Sequence, residues 1–190
     1  MKSPKEFVEI EIKFPLHNPQ DVREYLGNNC KLIEENIYQK DIYFTPAHKN
    51  FMEPEIPYEY FRFRQSNNKY ALTYKHLHPE GTYDIEYYDE YETGIENPEA
   101  MMRIINVLGF KEIVTVEKTR FTYTYKDTEI CLDNVTNLGW FIEVESKKPG
   151  DNIQEIRESL MQILKEIGAE VGDTKATGYL DMLLKQMEQK

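Results

Sequence analysis

Residues 7–14, FVEIEIKF, alternate so strictly that only an extended chain can use both of their faces. Val8, Ile10, Ile12 and Phe14 fall on one side, and Glu9, Glu11 and Lys13 on the other. Charges of one sign then recur two residues apart in four places: Glu9/Glu11, Arg62/Arg64, Lys118/Arg120 and Glu143/Glu145. Neighbours on the same face of a strand lie roughly 7 Å apart, where like charges repel mildly. A face that served solubility alone would intersperse the signs. The opposite faces are read as apolar: Val8, Ile10 and Ile12; Tyr60, Phe61 and Phe63; Phe121 and Tyr123; Trp140, Ile142 and Val144. If the apolar side packs on helices, a sheet that closes on itself turns its charged side inward.

The remaining pattern predicts an antiparallel sheet with helices inserted. Strands are expected over 7–14, 31–44, 58–65, 69–75, 82–93, 112–125, 128–135 and 139–146. Tight turns at Ser66-Asn67-Asn68, Pro79-Glu80-Gly81 and Lys126-Asp127 join consecutive strands. Asn18-Pro19 and Asn97-Pro98 read as caps with proline in the first helical turn. They open helices through Val22, Tyr25 and Leu26, and through Met101, Ile104, Ile105 and Leu108, stopped near Gly27 and at Gly109. Pro149-Gly150-Asp151 precedes an amphipathic helix over 152–167, Gly168 ends it, and a last helix runs from about Thr177. The fold class is α+β: one domain over 1–190, a closed antiparallel barrel with flanking helices.

Composition narrows the partners. The 190 residues carry 23 Lys+Arg against 34 Asp+Glu, a net charge of −11. Such an acidic surface argues against nucleic acid or an anionic membrane. No run of roughly 18 apolar residues exists to span a bilayer. Two cysteines far apart in sequence, Cys30 and Cys131, argue against a disulfide framework and point to the cytoplasm.

An inward face holding both Arg/Lys and carboxylates suits a polyanion with its divalent cations. Guanidinium forks bind phosphate oxygens, and hard carboxylate oxygens bind Mg²⁺ or Mn²⁺. No Gly-rich phosphate loop is present, so side chains must do the holding. His76-Leu77-His78 could bind a metal, but the pair is expected to be solvated beside a turn. The proline-rich loop 45–57, with Phe51 and Met52 at its tip, is either a lid over one mouth of the barrel or a passive cover for apolar surface. Tyr87, Tyr91 and Trp140 would cover the face of a homodimer.

Glu9-Ile10-Glu11-Ile12-Lys13 resembles the E-x-E-x-K opening of the CYTH superfamily, the triphosphate tunnel metalloenzymes. Class IV adenylyl cyclases, thiamine triphosphatases and inorganic triphosphatases belong to it. Gln39-x-Asp41-x-Tyr43-Phe44 is similar to the second-strand motif of the class IV cyclase branch. Arg62-x-Arg64, Leu72-Thr73-Tyr74-Lys75 and Lys118-Thr119-Arg120 resemble the family's basic strands. Asp133 through Gly139 with Glu143-x-Glu145, and Gly178 through Leu184, resemble its closing blocks.

The resemblance implies an eight-stranded antiparallel tunnel that binds a triphosphate inside. Lys13, Arg62, Arg64, Lys75, Lys118 and Arg120 would contact phosphate oxygens. Glu9, Glu11, Asp133, Glu143 and Glu145 would hold Mg²⁺ or Mn²⁺, joined by Glu86, while Lys175 would supply a positive charge and Tyr179 is a further site candidate. Glu9, Glu11, Lys118 and Arg120 would be catalytic. The substrate would be a small-molecule triphosphate: ATP in a class IV-type adenylyl cyclase, or inorganic, thiamine or nucleoside triphosphate in a hydrolase. A non-catalytic triphosphate-binding module is the third reading. Asp84 stands where the cyclase branch usually carries arginine, and Gly178 where the family has serine.

Overall fold

The computed structural model describes residues 8–147, 152–173 and 178–188. Phe7, the Pro149-Gly150-Asp151 turn, Lys175 and Thr177 lie outside the described residues. Within them are nine strands and four helices: β1 (Val8–Glu9), β2 (Glu11–Pro15), α1 (Pro19–Asn29), β3 (Lys31–Thr45), β4 (Glu59–Ser66), β5 (Lys69–His78), β6 (Tyr87–Gly94), α2 (Pro98–Val107), β7 (Lys111–Tyr125), β8 (Thr128–Val135), β9 (Gly139–Ser146), α3 (Ile153–Glu166) and α4 (Tyr179–Glu188). Strand order along the sheet is β1-β6-β5-β4-β3-β7-β8-β9-β2. Its two terminal members, β1 and β2, are halves of one N-terminal strand parted at Ile10. An order that begins and ends in the same strand is that of an antiparallel β-barrel, the predicted class. The count of nine instead of eight comes from that break.

The chain divides into two compact units. The first takes in the described residues up to Ile37 and from Lys118 to 173, and the second those from Tyr38 to Glu117 and from 178 onward. In the first, β7–β8, β8–β9 and β9–β2 pair antiparallel, and α3 lies against β2 and β9. Its apolar side buries Ile130, Leu132, Ile142 and Val144, together with Leu160, Ile163 and Leu164 of α3. In the second, β3–β4, β4–β5 and β5–β6 form the meander, and Phe44, Phe63 and Ile105 of α2 make the core that Phe61, Met101 and Phe110 cover.

Turn chemistry behaves as read. Asn67 and Lys126 take φ of 52° and 53° in the two-residue connections β4–β5 and β7–β8. Gly109 and Gly168, at φ of 78° and 70°, end α2 and α3 in the left-handed conformation that glycine adopts without strain.

Four expectations need correction. Asn18 does not cap α1 through its side chain. It bridges to the segment after α3 instead, donating to the Gly168 carbonyl at 2.9 Å and accepting from the Glu170 amide at 2.8 Å. The strand expected over 82–93 begins only at Tyr87, because the Glu86 amide closes the preceding turn on the His78 carbonyl at 2.7 Å. Tyr60 shares the face of Arg62 and Arg64, two and four residues on, and not the apolar face of Phe61 and Phe63. His76 and His78 sit inside β5, stacked at 4.5 Å and paired with Glu80 and Asp89 rather than simply solvated.

Loop 45–57 folds down as a cover. Thr45 accepts from the Phe51 amide at 2.9 Å, and the buried Phe51 ring meets Tyr74 at 6.4 Å. Tyr74 is on the face of β5 opposite Thr73 and Lys75, so the loop tip packs on that opposite face.

If Asn18 ties two segments together, Asn18→Ala and Asn18→Ser should destabilise equally, by about 1–2 kcal/mol for two lost hydrogen bonds. Serine would rescue a cap but is too short to make both bonds. Urea denaturation of the three proteins checks this, and full rescue by serine would restore the capping role.

Candidate functional site

The charged face of the first unit is built by register. Glu11 and Lys13 of β2 lie opposite Glu145 and Glu143 of β9. Glu129 and Cys131 of β8 lie opposite the same two residues on the other side, and Asp133 lies opposite Arg120 of β7. Antiparallel partners share a face, so these side chains form one charged surface. Its rows differ in sign. Glu11, Glu145 and Glu129 run across three strands as a band of carboxylates, while Lys118 and Arg120 occupy the middle of β7.

Asp133 organises the basic end. It is fully buried, receives the Arg120 fork at 2.7 and 2.6 Å, and takes the Lys118 ammonium at 2.7 Å. Burial alone would raise its pKa, but the charges of Arg120 and Lys118 outweigh that and lower it to about 2. Arg120 reaches on to Glu143 at 2.8 Å, and Lys13 approaches Glu143 at 3.6 Å and Glu11 at 3.3 Å. Burial opposes the charge on Arg120, yet Asp133 and Glu143 hold its pKa well above the ordinary value.

The acidic end crowds carboxylates together. Burial together with Glu9 and Glu11 pushes the Glu145 carboxyl up to about 7, against the pull of Lys147 at 3.0 Å. Carboxylates crowded until one keeps its proton near neutrality form a donor set of hard oxygens that a divalent cation would relieve. Glu9, Glu11 and Glu145 therefore fit Mg²⁺ or Mn²⁺. Among the described residues no three such groups yet converge on a single cation position. Glu143 and Asp133, expected as ligands, are engaged by Arg120. Cys131 lies on this face, but burial pushes its thiol up to about 12, so it stays a neutral packing group.

The second unit carries its own charged face. Asp41 of β3 lies opposite Arg64 and is 1 % exposed. It takes the Arg64 Nε and Nη2 donors at 2.7 Å each, and the Arg62 guanidinium stands 3.6 Å away. Arg62 donates to Thr73 at 3.1 Å, and Thr73 in turn donates to Glu92 at 2.8 Å. Despite its burial, Arg62 is held above its ordinary pKa by Asp41, Tyr43 and Glu92. Lys75 pairs with Glu90 at 2.5 Å beneath the Tyr88 ring.

The structure thus brings Lys13, Lys118, Arg120, Asp133, Glu11, Glu143 and Glu145 together in one unit, and Arg62, Arg64 and Lys75 in the other. Glu86 and Asp84 are exposed in the connection before β6. Tyr179 is buried at the start of α4. Sequence reasoning missed Asp41, Thr73, Glu90 and Glu92 in the second unit and Glu129 in the first. Glu90 and Glu92 carried the period-two signal, but in a segment so rich in acids that both faces look alike. Asp41 carried it too, two residues from Gln39 and Tyr43.

Residues 8–179 match the family model described as the CYTH domain. This chain belongs to that family. A Methanocaldococcus jannaschii protein provisionally named an adenylate cyclase is 31 % identical over 177 residues, 92 % of this chain and 98 % of that protein. The solved PH1819 protein of Pyrococcus horikoshii is 30 % identical, with a TM-score of 0.78 over 94 % of this chain and 99 % of that one. The fold alone is shared with a Hippeastrum protein, 20 % identical with a TM-score of 0.57 over 87 % of this chain and 91 % of that one. Its structure is described as that of a provisional adenylyl cyclase with a dominant triphosphatase activity. No helix of the described residues is long and apolar enough to cross a membrane.

The raised Glu145 carboxyl has a signed consequence for the metal-free protein. The native state holds this proton more tightly than the unfolded chain does. Its contribution to stability is therefore full below about 4.5 and lost as pH rises to about 7. At about 1.4 kcal/mol per unit the loss approaches about 3 kcal/mol. Glu145→Gln mimics the protonated form, so it should be stabilising at pH 8 and near neutral at pH 5. Urea titrations of both proteins in a chelating buffer test this, and a pH-independent difference would contradict it.

Proposed function

We propose that this protein is a metal-dependent adenylyl cyclase of the class IV type, converting ATP to cyclic AMP and pyrophosphate. The observation that carries the reading is the buried Asp133–Lys118–Arg120 cluster beside carboxylates crowded enough to keep Glu145 protonated near neutrality. It supplies preset cations for phosphate oxygens and hard oxygen donors for the cations that accompany them. The choice of reaction is supported by the 31 % identity to the M. jannaschii protein, which extends over nearly all of both chains.

Lys13, Lys118 and Arg120 in the first unit, and Arg62, Arg64 and Lys75 in the second, bind phosphate oxygens. Asp133 keeps Lys118 and Arg120 extended in the conformations that ligand binding requires, so little rotamer entropy is lost when the anion arrives. Glu9, Glu11 and Glu145 hold the divalent cation, which when bound supplies Lewis acidity toward substrate oxygens. The ribose 3′-hydroxyl gives up its proton to water and attacks the α-phosphorus, the bond to the bridging oxygen breaks, and pyrophosphate leaves with its growing charge set against Lys118 and Arg120.

A triphosphatase is the second reading, in which water attacks the terminal phosphorus at the same charged faces. It is favoured by the exposed position of Asp84, which leaves β6 offering Glu90 and Glu92 in place of a basic contact. The related fold in Hippeastrum accompanies a dominant triphosphatase activity in that protein.

Product analysis decides between them. The protein is incubated with ATP, thiamine triphosphate and inorganic triphosphate, each with Mg²⁺ and with Mn²⁺. Cyclic AMP with an equal amount of pyrophosphate is the expected result. Orthophosphate as the sole product would establish the hydrolase, and thermal stabilisation by triphosphate without any product would leave a binding module. In either enzyme Arg120→Ala should lower kcat/KM on the order of a hundredfold or more. Glu9→Gln should weaken metal dependence by a comparable factor through a lost ligand.

A further inference from the structure

We infer that Asp41 is a positioning residue that presets Arg62 and Arg64 for a phosphate group, an assignment that rests on the triphosphate reading above. Arg62 and Arg64 share one face of β4 two residues apart, so their guanidiniums repel and would each extend toward solvent if left alone. Asp41 sits across the strand pair from Arg64 and diagonally from Arg62, and is 1 % exposed. Its two oxygens accept the Nε and Nη2 edge of Arg64 at 2.7 Å each, a fork-to-fork geometry that fixes the guanidinium plane.

That pairing removes one edge of Arg64 from use by any ligand. Both Nη1 hydrogens and one on Nη2 remain for an anion. Arg62 is held by Asp41 at 3.6 Å from Nη1 and, at Nη2, by Thr73 at 3.1 Å and Glu92 at 3.5 Å. Its third donor, Nε, is buried and has no hydrogen-bond partner. A buried cationic donor without an acceptor is rare in folded proteins and marks a place where an anionic oxygen belongs. Asp41 thus neutralises part of the charge and turns what remains toward one direction. It need not touch the substrate to do this, so its effect must pass through Arg64 and Arg62.

A double-mutant cycle read by binding tests the assignment. Dissociation constants for inorganic tripolyphosphate with Mg²⁺ are measured by calorimetry for the full chain, for Asp41→Asn, for Arg64→Lys and for the double variant. Melting temperatures are recorded alongside. Asp41→Asn is expected to weaken binding on the order of tenfold to a hundredfold, and Arg64→Lys by a similar factor. Because one acts through the other, the double variant should bind within about threefold of the weaker single. Multiplying losses, or unchanged binding in Asp41→Asn with only a lowered melting temperature, would make Asp41 merely structural and overturn the assignment.

If Asp41→Asn does not fold, Asp41→Asn/Arg64→Gln, which removes both charges together, is compared with Arg64→Gln alone. Equal affinities support the assignment and a further tenfold loss overturns it. If this double variant is also unfolded, the dependence on Asp41 exceeds its tie to Arg64 and the assignment falls. Failure of the unmodified protein to bind tripolyphosphate would sink the triphosphate reading itself, a result seen before any variant is made.

Discussion

The fold depends on neutralising cations that it buries. Lys118 and Arg120 in one unit, and Arg62 and Arg64 in the other, are cations on faces with little solvent, where the desolvation cost is several kcal/mol per charge unless a partner meets them. Each unit meets that cost in the same way, with one nearly inaccessible aspartate placed across a strand pair. Asp133 takes Arg120 and Lys118, and Asp41 takes Arg64 and leans on Arg62. Pairs of this kind contribute little net stability compared with apolar packing. What they add is direction: long side chains that would otherwise sample solvent are tied to fixed partners.

The carboxylates show the converse. Across β2, β9 and β8 the register sets Glu11, Glu145 and Glu129 side by side, with Lys147 and Lys13 paired to them. Packing that served stability alone would not collect acids until one of them stays protonated near neutrality. Within a few residues the first unit therefore presents an overfilled anionic row and a clamped cationic end. A phosphate group that arrives with its own divalent cation complements both.

Much of this was readable from the chain. Seven of the nine strands lie where alternation and turn residues put them, β6 starts only at Tyr87, and the ninth comes from a break at Ile10 inside a segment read correctly as extended. The glycines that end α2 and α3 could be named because only a left-handed residue fits there. Lys13, Arg62, Arg64, Lys75, Lys118 and Arg120 do project from charged faces. The misses have one cause. Period-two patterns assign a residue to a face but do not say what stands opposite it. Asp41, Glu90 and Glu92 became visible only when register placed them beside Arg64, Lys75 and Thr73. Asn18 was misread for a related reason, since its partners lie at residues 168–170, about 150 positions away along the chain.

The sequence by itself determined which residues are extended, where the chain turns, and that each strand has a charged and an apolar side, because those are local consequences of side-chain alternation and backbone sterics. It also determined the family, through motifs whose order survives without any structure. Only the tertiary structure decided which charges meet. Whether an aspartate binds a cation from solution or clamps an arginine, and whether a glutamate keeps its proton, depends on distances of a few ångströms across strands. The register sets those distances, and registers are fixed by the packing of the whole sheet.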